Sequence, residues 1–76
     1  MKRIDTYIEY DPKSDAAYVY VTEIGAGEAV DQVVLEDDQL PSGEVIIDLD
    51  KDGRLLGFEL LSASSTLPTK LLDRLG

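Results

Sequence analysis

Cysteine and histidine are both absent from this chain. Without cysteine there is no disulfide, no thiolate nucleophile and no thiolate-bound structural zinc. Without histidine the usual general base near neutral pH, the Ser-His and Cys-His nucleophile systems and the commonest transition-metal ligand are missing. A protein that is not an enzyme and holds no cofactor is therefore the expectation. Long apolar runs are missing too: no stretch approaches the roughly 20 residues needed to cross a bilayer. The charged start Met1-Lys2-Arg3-Ile4-Asp5 is not followed by an apolar segment of signal-peptide length. No membrane contact and a cytoplasmic location are the corresponding expectations. Basic residues are scarce, 7 against 16 acidic, for a net charge of −9. Such a charge repels phosphate backbones and anionic lipid surfaces, so direct nucleic-acid binding is disfavoured. It suits a basic protein partner, or the basic groove another protein uses for nucleic acid. It also serves simply to keep a small domain in solution.

What is present fits one small fold. A chain of 76 residues lies at the low end of domain size. One domain over residues 1–76 is expected, with a thin core, because a chain this short buries only about 60% of the surface it exposes when unfolded. Self-association as a homodimer would relieve that shortage. Hydrophobic residues make up 43% of the chain, enough to fold despite a charged fraction of 30%.

Period-two patterning dominates. Residues 6–10 are aromatic and β-branched and run into the turn formers Asp11, Pro12, Lys13, Ser14 and Asp15. Residues 16–23 alternate, with Tyr18, Tyr20 and Thr22 on one face and Ala17, Val19 and Val21 on the other. Gly25-Ala26-Gly27 closes that strand, since glycine tolerates the positive φ of a reversal. Residues 29–36 are β-rich but lose alternation near Asp31-Gln32, which suggests a bulge there. Residues 37–43 form a polar loop broken by Pro41 and Gly43, and the acidic run Glu36-Asp37-Asp38 reads as solvated. Residues 44–50 put Val45, Ile47 and Leu49 on one face, and residues 55–61 do the same with Leu56, Phe58 and Leu60. Thr66 and Pro68 then suit the start of a helix over 67–75, with Leu71, Leu72 and Leu75 at helical spacing. Lys70 and Arg74 are placed in its last turn, where cations complement the helix dipole. The fold class expected is α+β: an antiparallel β-meander of about five strands with one short C-terminal helix packed on the sheet.

One stretch has the look of chemistry. Asp48, Asp50, Asp52, Gly53 and Glu59 satisfy the spacing of an EF-hand calcium loop, with apolar Leu55 at its eighth position. An EF-hand needs flanking helices, whereas Val45-Ile46-Ile47 and Phe58-Glu59-Leu60-Leu61 have strand character. A strand-turn-strand reading is preferred over a calcium site, with Asp50 or Asp52 bonding nearby amides, Gly53 in the left-handed region and Glu59 in solvent. Asp48 and Glu59 would be neighbours across such a hairpin. They could divide acid and base roles in a small hydrolase with a tyrosine or serine, but like charges across a hairpin favour divergence or an intervening base such as Arg54. Tyr7, Tyr10, Tyr18 and Tyr20 serve a thin core and its rim or a protein interface, with Tyr18 and Tyr20 as the interface candidates.

Taken in order, Tyr10-Asp11-Pro12, Asp15-Ala16-Ala17-Tyr18, Asp48-Leu49-Asp50, Asp52-Gly53-Arg54, Gly57-Phe58-Glu59-Leu60-Leu61 and Ala63-Ser64 form a recognisable series. The chain resembles the bacterial domain of unknown function 2283 family (DUF2283) over nearly its whole length. The resemblance implies a hairpin at the aspartate-rich turn at least as readily as a metal loop, and no activity to assign to named residues. Some relatives look like the smaller, acidic member of toxin-antitoxin-type gene pairs, which implies an antitoxin-like role. The chain departs from many relatives in its longer loop from Asp37 to Gly43. The leading expectation is a non-enzymatic protein-interaction module for a basic partner. A calcium-binding module and a carboxylate hydrolase are the alternatives.

Overall fold

The computed structural model describes residues 1–35 and 43–75. The acidic run from Glu36, most of the expected 37–43 loop, and Gly76 lie outside the described residues. Five strands form one antiparallel sheet: β1 (Tyr7–Asp11), β2 (Ala16–Tyr20), β3 (Asp31–Leu35), β4 (Glu44–Leu49) and β5 (Leu55–Leu61). Two short helices follow, α1 (Ala63–Thr66) and α2 (Thr69–Leu75). The strand order is β1-β2-β5-β4-β3. Neighbours in sequence pair at β1–β2, β3–β4 and β4–β5, as a meander requires, while β2 pairs with β5.

The segment after β2 therefore runs from the middle of the sheet to its far edge, past the ends of β5 and β4. Gly25-Ala26-Gly27 is the corner of this crossover. The Gly25 amide donates to the Glu28 carboxylate at 2.6 Å, Glu28 N–H returns to the Gly25 carbonyl at 3.2 Å, and Gly27 takes φ +79°. Backbone bonds from Val21 to the Leu56 carbonyl and from Val30 to the Leu49 carbonyl, both 3.0 Å, pin the two ends.

Strand pairing sets the faces. Ile8, Val19, Phe58, Ile47 and Val33 form one row, and Tyr10, Ala17, Leu60, Val45 and Leu35 form the next. Helix α1 packs on this side: Ala17, Val45, Leu60 and Ala63 make the buried cluster, and Leu67, just after α1, packs against it. The core is thin, as so short a chain requires. Five apolar residues are buried, two of them alanines, and no large side chain among the described residues is wholly enclosed.

Several boundaries differ from the sequence reading. β2 stops at Tyr20 instead of residue 23, because its partner β1 begins at Tyr7, opposite Tyr20. β3 is regular from Asp31 to Leu35, and the irregularity in the sheet falls instead between Asp48 and Leu49, opposite Leu55 to Gly57. All five β3 residues are exposed, so alternation is lost there through lack of burial and not through a bulge. The C-terminal helix is split in two: α2 falls within the expected span, and α1 is an additional single turn. Arg74 lies in the last turn of α2, whereas Lys70 is its second residue and sits near the opposite pole of the dipole.

Candidate functional site

The second side of the sheet bears the side chains that the helices leave uncovered. Its rows are Tyr7, Tyr20, Gly57, Asp48 and Gln32, then Glu9, Tyr18, Glu59, Ile46 and Val34, then Asp11, Ala16, Leu61 and Glu44. Five of these are acidic, namely Glu9, Asp11, Glu44, Asp48 and Glu59, and none is basic. Three of the four tyrosines share this face. Tyr7 and Tyr20 stack with ring centroids 4.4 Å apart and planes 16° from parallel, and Tyr18 tilts against Tyr20 at 4.7 Å and 53°. Tyr18 and Tyr20 thus lie side by side as the strand alternation required.

Tyr18 reaches further than its own strand. Its ring crosses β5 above Gly57, where a Cβ would stand 2.6 Å from a ring carbon of Tyr18 and 2.7 Å from the Val19 carbonyl oxygen. Beyond the glycine the hydroxyl donates to Asp48 at 2.5 Å, and the second oxygen of Asp48 accepts the Gln32 side-chain amide at 2.9 Å. Burial and then the hydrogen bond to Asp48 raise the Tyr18 pKa, with Glu59 adding a smaller push. The Glu9 carboxylate beside Tyr20 raises that phenol as well. What lies near both Asp48 and Glu59 is therefore the Tyr18 hydroxyl. The expectation for this pair was divergence into solvent or an intervening base such as Arg54. A glycine inside a strand, facing a tyrosine-rich neighbour, was the available signal.

The aspartate-rich turn closes β4 onto β5. Asp50 accepts the amides of Asp52 and Arg54, each at 2.9 Å, and the Gly53 amide donates to the Asp50 carbonyl at 2.9 Å. Gly53 adopts φ +75°, a conformation that favours glycine. Asp50, rather than Asp52, accepts these backbone bonds. Asp48 lies within β4 and Glu59 within β5, and Asp50 and Asp52 lie in the turn between those strands. Among the described residues no group of three or more acidic side chains is gathered to hold a metal ion.

The first turn forms a clasp. Asp11 accepts the Lys13 amide at 3.0 Å and the Ser14 hydroxyl at 3.1 Å, an aspartate turn with Pro12 as its second residue. Asp15 sits in the left-handed region at φ +52°. Its carboxylate accepts the Tyr10 hydroxyl at 2.9 Å, the Ser64 amide at 3.0 Å and the Ser64 hydroxyl at 2.7 Å, and its carbonyl accepts the Ala63 amide at 2.9 Å. A residue 49 positions away in the chain thus caps α1, whose own N-cap Ser62 makes no side-chain bond. The bonds from Ser64, with the one from Tyr10, hold the Asp15 carboxyl below the usual aspartate range.

The architecture is that of a small α+β domain with one helix-covered and one open sheet face. The chain belongs to the family described as Protein of unknown function (DUF2283), which matches residues 7–64. That span takes in all five strands and both ends of the Asp15–Ser64 clasp. No curated protein and no solved structure matches the chain. No helix among the described residues is long and apolar enough to cross a membrane.

Proposed function

We propose that this protein is a non-enzymatic interaction module that binds a basic protein partner through its open sheet face. One observation carries the reading: the face left uncovered by the helices presents a three-tyrosine stack among five carboxylates and no basic side chain. Tyrosine supplies large contact area with few rotatable bonds, and the surrounding negative charge steers a cationic surface toward it. The small size of the domain and its net charge of −9 support the same assignment, and an antitoxin-like role beside a basic gene-pair partner is one form it would take. A cytoplasmic setting fits this reading.

The test is affinity capture followed by identification of the bound protein and reconstitution from purified components. A basic partner is expected, retained at low salt and released at about 0.5 M salt, where the Debye length falls to roughly 4 Å. Charge reversal on the open face, Glu9→Lys with Glu59→Lys, abolishes binding, while Asp73→Lys on α2 leaves it intact. Binding that survives the open-face reversal sinks the proposal.

A further inference from the structure

The open face contains a concave place over Ala16. We infer that this depression receives the guanidinium group of an arginine side chain on the protein partner. The inference rests on the reading of the open face as a basic-partner surface and adds which cation that surface selects.

Ala16 sits between Asp11 on β1 and Leu61 on β5, and its short side chain leaves a hollow in the row. The neighbouring row places Glu9 and Glu59 on either side of Tyr18. Because Tyr18 leans away over Gly57 to bond Asp48, it does not fill the gap between those two carboxylates. The resulting depression, about 360 Å³, is lined by Glu9, Asp11, Ala16, Tyr18, Tyr20 and Glu59 among others, and no lining residue is basic. Asp11 already accepts two bonds within its turn and Glu9 takes the Tyr20 hydroxyl, so Glu59 and the remaining lone pairs of Glu9 are the acceptors left for a ligand. The tyrosine rings are held in place, Tyr20 by its stack with Tyr7 and Tyr18 by its hydroxyl bond.

A guanidinium matches this arrangement better than an ammonium. It is planar, so it stacks on a tyrosine ring while its N–H groups donate in-plane to a carboxylate at the side. It is also the more weakly hydrated cation, and a shallow hollow offers little to repay a lysine for shedding its water. Two carboxylates flanking an aromatic pair supply both kinds of contact at one point, and the acidic surroundings raise the local concentration of a cationic segment.

The experiment is an amide-resolved NMR titration of the full chain with two synthetic peptides of equal length and charge, one containing two arginines and the other two lysines. The arginine peptide is expected to bind about two- to fivefold more tightly, the range set by an exposed cation–π contact. Its shifts are expected to centre on β1 and β2 around Glu9, Ala16 and Tyr18. In the Glu9→Gln and Glu59→Gln variants, whose spectra report directly that the sheet is intact, the preference for arginine is expected to disappear. Equal binding of both peptides on the open face overturns the guanidinium assignment and leaves the basic-partner reading standing. Arginine-peptide shifts centred on Glu44 and Ile46 instead overturn the location. No shift with either peptide at low salt overturns both.

Discussion

Asp15 ties three parts of the chain through one carboxylate: the end of β1 by way of Tyr10, the first turn, and the start of α1 by way of Ser64. Because folding lowers its pKa, the stabilisation is complete above the ordinary aspartate value of 3.8 and is lost as pH falls through the lower folded-state value. Urea midpoints measured from pH 5 downward should show this loss in the parent chain, and Asp15→Asn should remove that part of the acid dependence. Asparagine tolerates the left-handed backbone, so the substitution isolates the charge and its bonds. Tyr18 makes the opposite case. Its pKa is raised, so its contribution is present below the unfolded tyrosine value near 10 and declines as pH rises through the folded one. Absorbance titration should find Tyr18 ionising after a free phenol would, and Tyr18→Phe, which keeps the ring over Gly57, should lower stability by about 1 kcal/mol. The pairing of Tyr18 with Asp48 was not legible beforehand, because the partners are 30 positions apart and no local pattern links them. The turn positions of Asp11 and Gly53 were legible, since each acts on backbone within a few residues of itself, whereas the sequence left open which of Asp50 and Asp52 accepts the turn amides.

Among the elements, β5 is the strand on which the sheet depends. It pairs with both β2 and β4, buries Leu56, Gly57 and Leu60, and lies beneath the Tyr18 ring. Gly57→Ala would set a methyl group against that ring and against the Val19 carbonyl. The ring can swing away, but the carbonyl belongs to a paired strand and cannot. A loss of about 1–3 kcal/mol is expected from denaturant unfolding, together with loss of the Tyr18–Asp48 bond. Hairpins were readable because their turns carry their own chemistry. The pairing of β2 with β5 was not, since it joins segments separated by two other strands and follows from the crossover at Gly25 to Gly27. Helix α1 also escaped detection, for Ala63-Ser64-Ser65-Thr66 has no apolar period. It forms because Asp15 supplies acceptors for its first amides. The edge strand β3 lost its alternation for the same kind of reason, as neither of its faces is buried.

At the scale of the whole molecule, charge of one sign works against a thin core. A net charge of −9 on so small a body repels itself, and screening relieves that repulsion. Adding sodium chloride should therefore raise the thermal midpoint of the isolated protein, while the same salt weakens its hold on a basic partner. A midpoint indifferent to salt between about 0.01 and 0.5 M, across which the Debye length shrinks from roughly 30 to 4 Å, would show that the carboxylates are too dispersed to matter.

The exposed edge strand gives that charge a second task. Val33, Val34 and Leu35 stand 44%, 46% and 36% accessible on a strand with no lysine or proline to discourage a new neighbour. Mutual repulsion opposes the zipping together of two such margins, and it vanishes as the medium approaches the isoelectric point near 4.1. Turbidity should climb steeply there, through strand-to-strand accretion, and Val34→Lys should suppress it while leaving the fold in place. The protein's acidity would then act as its guard against fibril growth, withdrawn whenever its surroundings become sour enough.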